Sequence, residues 1–285
     1  MDVMFVCTGN TCRSPMAAAL FAMRCAAKGL DFSVSSAGLA AWPDSPASPN
    51  AIAAATDLGA DLTAHQARQA TPELLEQADF VVCLAAGHAG RLAPFVPREK
   101  LRVLAGGAED PYGGDLETYR ACARRIDGAL PALFPDFLCG ADIVPAEETH
   151  LPALAELERQ CFTPPASEAR LREKLENGHF YGLAALLDDE VAGFLGVDEI
   201  ADEAFVDDLA VFPRHRRKGV ASALLARAET GAILRGCGKI HLECRESNKA
   251  ALALYEARGY KRVGRRKNFY GSPREDAILM TMEVN

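Results

Sequence analysis

The chain has 285 residues, 49% of them hydrophobic, which is enough for two packed cores of roughly 140 residues each. Its formal net charge of −8 excludes a broad electrostatic attraction to nucleic acid or to an anionic membrane, although the run 214–218 is locally basic. Nine cysteines, an odd number, follow a start without a basic segment or a small-residue cleavage site; this points to a reduced, cytoplasmic protein, and no apolar run approaches the roughly 20 residues of a membrane span.

In chain order, the short apolar run 1–6 reads as a strand that ends in a turn rich in Gly, Ser, Thr and Asn, and the Ala-rich stretch 16–27 reads as a helix. Further strands are expected at 32–35, 80–84 and 100–104, and helices at 50–58, 71–78 and 116–133. Strands alternating with helices imply a mostly parallel sheet covered on both faces. After Phe134 the segment 135–142 breaks the pattern, so the boundary is placed near Gly140, giving domains 1–138 and 140–285. The second half begins with helices at 151–161 and 168–175. A hairpin follows, made of runs 181–187 and 191–197 around Asp188-Asp189-Glu190. A strand at 205–211, a helix at 221–234, a strand at 239–244, a helix at 248–258 and two closing strands complete a mixed α/β domain.

The most informative stretch is Val6-Cys7-Thr8-Gly9-Asn10-Thr11-Cys12-Arg13-Ser14-Pro15, with a cysteine at the end of a strand and an arginine at the start of a helix. Backbone N–H groups of Thr8 to Ser14, folded around an anion at a helix N-terminus, supply donors and positive potential, and Arg13 can hold two phosphoryl oxygens. The same field favours thiolate at Cys7. Attack on phosphorus needs a separate acid for the leaving group, and Asp110-Pro111-Tyr112-Gly113 offers a carboxyl group beside an aromatic wall. The competing reading makes Cys7 a core cysteine and Asp110-Pro111 a plain turn.

These motifs, in this order, resemble the low-molecular-weight protein tyrosine phosphatases over nearly all of residues 1–138. The resemblance implies a three-layer parallel-sheet phosphatase domain that needs no cofactor. It makes Cys7 the nucleophile, Arg13 the phosphate ligand and Asp110 the general acid and then base. Asn10, Ser14, Ser36 and His65 match the family's network around the loop, and Cys12 matches a cysteine that can form a protective disulfide with the nucleophile. The string Cys-Thr-Gly-Asn-Thr-Cys-Arg-Ser-Pro-Met resembles the protein arginine phosphatase branch, in which threonine stands at the position of Thr11. A hydroxyl there can orient water or bond a guanidinium, whereas an aliphatic group favours an aromatic ring; phosphoarginine is therefore favoured over phosphotyrosine.

A second constellation starts at 208–211 and runs into Arg216-Arg217-Lys218-Gly219-Val220-Ala221 ahead of a helix. Small residues there let a pyrophosphate approach backbone N–H groups and a helix N-terminus; a basic turn capping a helix is the plainer reading. Glu243, Asn248, Tyr255 and the closing Arg265-Arg266-Lys267-Asn268-Phe269-Tyr270 follow at spacings that resemble the GNAT acetyltransferases over about 140–285, and within them the ribosomal-protein-alanine N-acetyltransferases. The resemblance implies acetyl-CoA as cosubstrate and a general base at Glu243 acting through water. It implies a general acid at Tyr255, Asn248 bonded to the pantetheine arm or to Tyr255, and N–H groups of Leu209, Ala210 and Val211 polarising the thioester carbonyl. Phe162-Thr163-Pro164-Pro165 departs from the branch near its peptide-binding loop, which bears on the choice of acceptor.

Together these readings describe a bifunctional enzyme acting on phosphorylated proteins and on a ribosomal-protein or other protein N-terminus. Neither a nucleic acid nor a membrane is expected as a partner. The alternatives are a chain in which one half only binds phospho-residues or CoA, or a phosphatase for phosphotyrosine. No cysteine or histidine spacing suits a metal, and no G-x-G-x-x-G follows the first strand.

Overall fold

The computed structural model describes residues 1–104 and 107–284, which divide into two compact units, Met1–Pro131 and Ala132–Val284. The first unit holds β1 (Asp2–Cys7), α1 (Arg13–Ala27), β2 (Ser33–Gly38), α2 (Pro49–Thr56), α3 (Pro72–Gln77), β3 (Phe80–Cys83), α4 (Ala86–Leu92), β4 (Leu101–Val103) and α5 (Leu116–Ala129). Among the described residues its strands form one parallel sheet in the order β2-β1-β3-β4. Five of the six residues of β1 are buried because a parallel sheet is covered on both faces. Met16, Ala17, Leu20 and Phe21 recur at helical spacing along α1, and Phe21 meets Phe5 of β1 edge to face at 5.4 Å. Ser48 caps α2 ahead of Pro49, and Asp115 caps α5. Cys7 ends the central strand, paired with Gly38, at the carboxyl edge where open α/β sheets gather their ligands.

The second unit contains α6 (Leu133–Leu138), β5 (Asp142–Pro145), α7 (Leu151–Cys161), α8 (Glu168–Glu176), β6 (Phe180–Leu187), β7 (Glu190–Ile200) and β8 (Glu203–Val211). It continues with α9 (Val220–Leu234), β9 (Lys239–Arg245), α10 (Lys249–Ala257), β10 (Lys261–Gly271) and β11 (Arg274–Glu283). Its sheet runs β10-β11-β9-β8-β7-β6-β5, antiparallel except between β8 and β9. One face packs on α9 and α10 around Leu195, Leu224 and Ile240, and the other on α7 and α8 around Leu154, Leu171 and Phe194. The β6–β7 turn is the expected hairpin, with Asp188 and Asp189 both at positive φ.

Three local differences from the sequence reading have physical reasons. The helix expected over 116–133 stops at Ala129 and passes through a 3-10 turn at Leu130–Ala132, where Pro131 cannot donate to the preceding turn. Helix α4 was not expected, since Gly87 and Gly90 weaken its local propensity. Strand β7 runs to Ile200, three residues past the expected end.

The central pair is the feature that positions the second site. Strands β8 and β9 are in register from Glu203 opposite Lys239 to Val206 opposite Leu242, and β8 carries a bulge at Asp207 against β7. Beyond that point the strands part, leaving a wedge between 207–211 and 243–245.

Candidate active sites

In the first unit the loop after β1 folds back on its own nucleophile candidate. The Cys7 sulfur lies 3.0 Å from Ser14 Oγ and accepts from the Asn10 N–H at 3.3 Å. Asn10 sits at φ 55°, and its amide donates to Ser14 Oγ and to Ser36 Oγ, both at 2.9 Å, while its Oδ1 accepts from the Arg68 N–H. His65 Nε2 lies 2.7 Å from the Asn10 carbonyl. The left-handed turn at Asn10 is therefore fixed from both its side chain and its backbone. Gly38 closes the wall beside it: a Cβ there would lie 2.6 Å from the Thr8 carbonyl oxygen and 2.9 Å from the Asn10 nitrogen.

Arg13, buried at the start of α1, donates to the Asp110 carboxylate at 2.5 Å and to the Ala108 carbonyl at 3.2 Å. The Asp110 side chain is 51% exposed, so one end of this pair is anchored and the other open to solvent. The structure thus brings Cys7, Asn10, Arg13, Ser14, Ser36, His65 and Asp110 together. Cys7 and Cys12 are both free thiols, and Cys12 lies against Tyr119 Oη at 3.3 Å, Ser48 Oγ at 3.5 Å and Thr11 Oγ1 at 3.6 Å.

Of the further neighbours, His88 and Trp42 were not anticipated, whereas Tyr112 was expected as an aromatic wall. His88 on α4 reaches Thr8 Oγ1 through Nε2 at 3.1 Å. Burial, reinforced by the Arg13 guanidinium, lowers its pKa to about 4, with Asp110 opposing and Arg91 adding to the shift. Trp42 and Tyr112 are each 82% exposed, the first on a loop whose Ala40 N–H bonds the Thr8 carbonyl, the second with its N–H on Asp110. The only sequence signal for Trp42 was its being the sole tryptophan.

In the second unit a cavity of about 990 Å³ opens at the wedge, lined by Leu209, Glu243, Cys244, Asn248, Tyr255 and Arg266 among others. Glu243 is held by Arg266 at 2.9 Å. Tyr255 is 7% exposed, meets Tyr260 edge to face at 5.9 Å, and burial pushes its phenol above the usual range. Asn248 caps α10, its Oδ1 accepting from the Ala251 N–H at 3.2 Å; this commits one end of a side chain expected to meet the cosubstrate or Tyr255. Lys174 bonds Asp207 and Asp208 at the bulge, and burial with Asp207 beside it raises the Asp208 pKa.

The basic turn lies outside the lining of this cavity. Arg217 and Gly219 both have positive φ ahead of α9, and Arg216 turns back to donate to the Val211 carbonyl at 3.0 Å. The Phe212 N–H bonds Ala192 of β7, so alternation directs the N–H groups of Leu209 and Val211 to the opposite edge, toward the wedge. That edge, the left-handed turn and the 15-residue helix behind it suit a thioester whose carrier contains a pyrophosphate. Among the described residues no group of His, Cys, Asp and Glu could hold a metal ion, and no helix is long and apolar enough to cross a membrane.

One unit has a thiol in an anion cradle backed by an arginine–aspartate pair, and the other a split sheet with a buried phenol, which defines a cysteine-phosphatase site and an acyltransferase site in one α/β chain. Residues 2–141 match the low molecular weight phosphotyrosine protein phosphatase family and residues 151–260 the acetyltransferase (GNAT) family. The first half is 36% identical over 142 residues to the protein-arginine-phosphatase of Bacillus subtilis, a match covering 47% of this chain and 94% of that one. It is 38% identical over 148 residues to the low molecular weight protein-tyrosine-phosphatase of Streptomyces coelicolor, covering 46% and 90%. The second half is 32% identical over 141 residues to the [ribosomal protein bS18]-alanine N-acetyltransferase of Escherichia coli K12, covering 49% and 95%. The chain belongs to the low-molecular-weight phosphatase family through its first half and to the GNAT family through its second, and it joins a phosphatase to an N-acetyltransferase.

Proposed function

We propose that domain 1–138 hydrolyses phosphoarginine on proteins, in preference to phosphotyrosine, and that domain 140–285 acetylates a protein N-terminus, with the N-terminal alanine of a ribosomal protein as first choice. The observation that carries the phosphatase reading is the Cys7 sulfur, accepting from the Asn10 N–H and touching Ser14 Oγ, in the loop that also brings Arg13 to Asp110. The Cys7 thiolate attacks phosphorus, forming an S–P bond as the N–P bond of phosphoarginine breaks. Arg13 exchanges Asp110 for phosphoryl oxygens, and the freed, half-exposed Asp110 carboxylate takes up a proton from solvent and passes it to the departing guanidino nitrogen. Asp110 then takes a proton from water as water attacks phosphorus, the S–P bond breaks, and the thiolate is restored. Thr11 at the loop supports arginine as substrate through its hydroxyl, and the Asp110 carboxylate supports it through charge. Exposed Trp42 and Tyr112 favour the second reading, phosphotyrosine, by offering aromatic walls.

In the other domain acetyl-CoA supplies the acetyl group as a thioester. N–H groups of Leu209 and Val211 stabilise negative charge developing on a carbonyl oxygen in the wedge. Glu243 accepts the proton of the acceptor amine through water, and Tyr255, kept protonated by its burial, donates to the leaving sulfur. The deciding experiment compares kcat/KM on matched phosphoarginine and phosphotyrosine peptides with Cys7→Ser as blank. A preference for phosphoarginine is expected. A preference for phosphotyrosine overturns the substrate, and rates equal to the blank overturn the phosphatase reading.

A further inference from the structure

The geometry points to a residue of the phosphatase site that neither the motif nor the reaction scheme uses: we infer that His88 is a positioning residue, holding the Thr8 hydroxyl so that the loop behind Cys7 keeps its shape when a phosphoryl group enters. The inference rests on the phosphatase reading of that loop.

Thr8 directly follows Cys7 and is the first residue of the cradle. Its carbonyl is held by the Ala40 N–H at 2.9 Å, which ties the loop to the β2 side. Its side chain is held from the opposite direction by His88 Nε2, 80 positions along the chain, in the first turn of α4 beyond β3. The two bonds clamp one residue between the neighbours of β1 on either side. A cradle whose donors must already point at the anion gains from such a clamp, because reorganisation during the reaction is then avoided.

The ring is not plain core packing. His88 is 6% exposed, yet its buried Nδ1 has no hydrogen-bond partner among the described residues. An apolar side chain of similar size would fill the same space without leaving a polar atom unpaired. What the imidazole adds is the bond to Thr8. Burial, Arg13 and Arg91 keep it neutral against the opposing charge of Asp110, so the clamp adds no second fixed cation beside Arg13.

The test uses the full chain with His88→Leu, His88→Gln, Thr8→Val and the His88→Leu/Thr8→Val double variant. Readouts are kcat/KM on an aryl phosphate, the inhibition constant of orthovanadate, and thermal unfolding. His88→Leu should lower kcat/KM and weaken vanadate by about tenfold each, the scale of one lost hydrogen bond, without lowering the melting temperature. Glutamine, whose terminal amide reaches the place of Nε2, should restore most of both. Thr8→Val should reproduce the defect of His88→Leu, and the double variant should be no worse than either, because both remove one bond. Wild-type kinetics in His88→Leu or Thr8→Val, glutamine no better than leucine, or additive losses in the double variant would each overturn the inference. If His88→Leu unfolds, Thr8→Val decides alone, since it leaves the ring in place. Wild-type turnover no faster than Cys7→Ser would instead sink the phosphatase reading beneath it.

Discussion

Single residues carry opposite demands in the phosphatase site, and Asp110 shows this most directly. In the free protein it occupies Arg13 at 2.5 Å, so it competes with the anion that the arginine is there to bind. Asp110→Asn should therefore bind orthovanadate more tightly while turnover falls by about a hundredfold or more, the usual contribution of a general acid; weaker binding together with slower turnover would contradict the competition. Thr11→Ile should move preference toward phosphotyrosine, and an unchanged ratio would remove the reason for choosing arginine. Tyr255→Phe should slow acetyl transfer by about a hundredfold with acetyl-CoA affinity retained. His88 gives a pH dependence of definite sign. Its folded pKa is lowered to about 4 from 6.5, so between these values the unfolded chain binds a proton that the folded chain refuses. The contribution of His88 to stability should fall as pH drops from 6.5 to 4 and level off outside that window, and His88→Gln should reduce the loss of stability between pH 7 and pH 5 in equilibrium unfolding.

At the level of elements, what could be read in advance was what chain-local chemistry dictates. The Cys7 to Ser14 loop and the Asp188-Asp189 hairpin each declare themselves within a few residues. Contacts made across the chain left no such mark. His88 meets Thr8 only because β3 lies beside β1, and Arg266 meets Glu243 only because β11 pairs with both β10 and β9. Cys12, likewise, meets Tyr119 from 107 positions along the chain. Gly38 is the element-scale counterpart of these contacts, since β2 can approach the loop only without a side chain there. Gly38→Ala should cost about 1–3 kcal/mol through displaced backbone and reduce phosphatase turnover with it; unchanged unfolding would show that the loop gives way freely.

For the molecule as a whole, two units with their own sheets and sites predict separable activities. Cys7→Ser should abolish phosphatase turnover and leave acetyl transfer intact, and loss of both would contradict the two-site arrangement. Saturating ligand at 100 times its Kd adds about 2.7 kcal/mol to the unit that binds it. Orthovanadate and acetyl-CoA should accordingly raise different transitions in a thermal scan. The seam between β8 and β9 has a mechanical meaning too. Among the described residues, strands β5 to β8 pair with strands β9 to β11 only through the short register from Glu203 to Val206. Apart from the helices that brace it, the sheet has a fault line at its centre, and a ligand lying in the wedge would act as a splint across it. Amide exchange along β8 and β9 should slow on adding acetyl-CoA well beyond the residues that touch it.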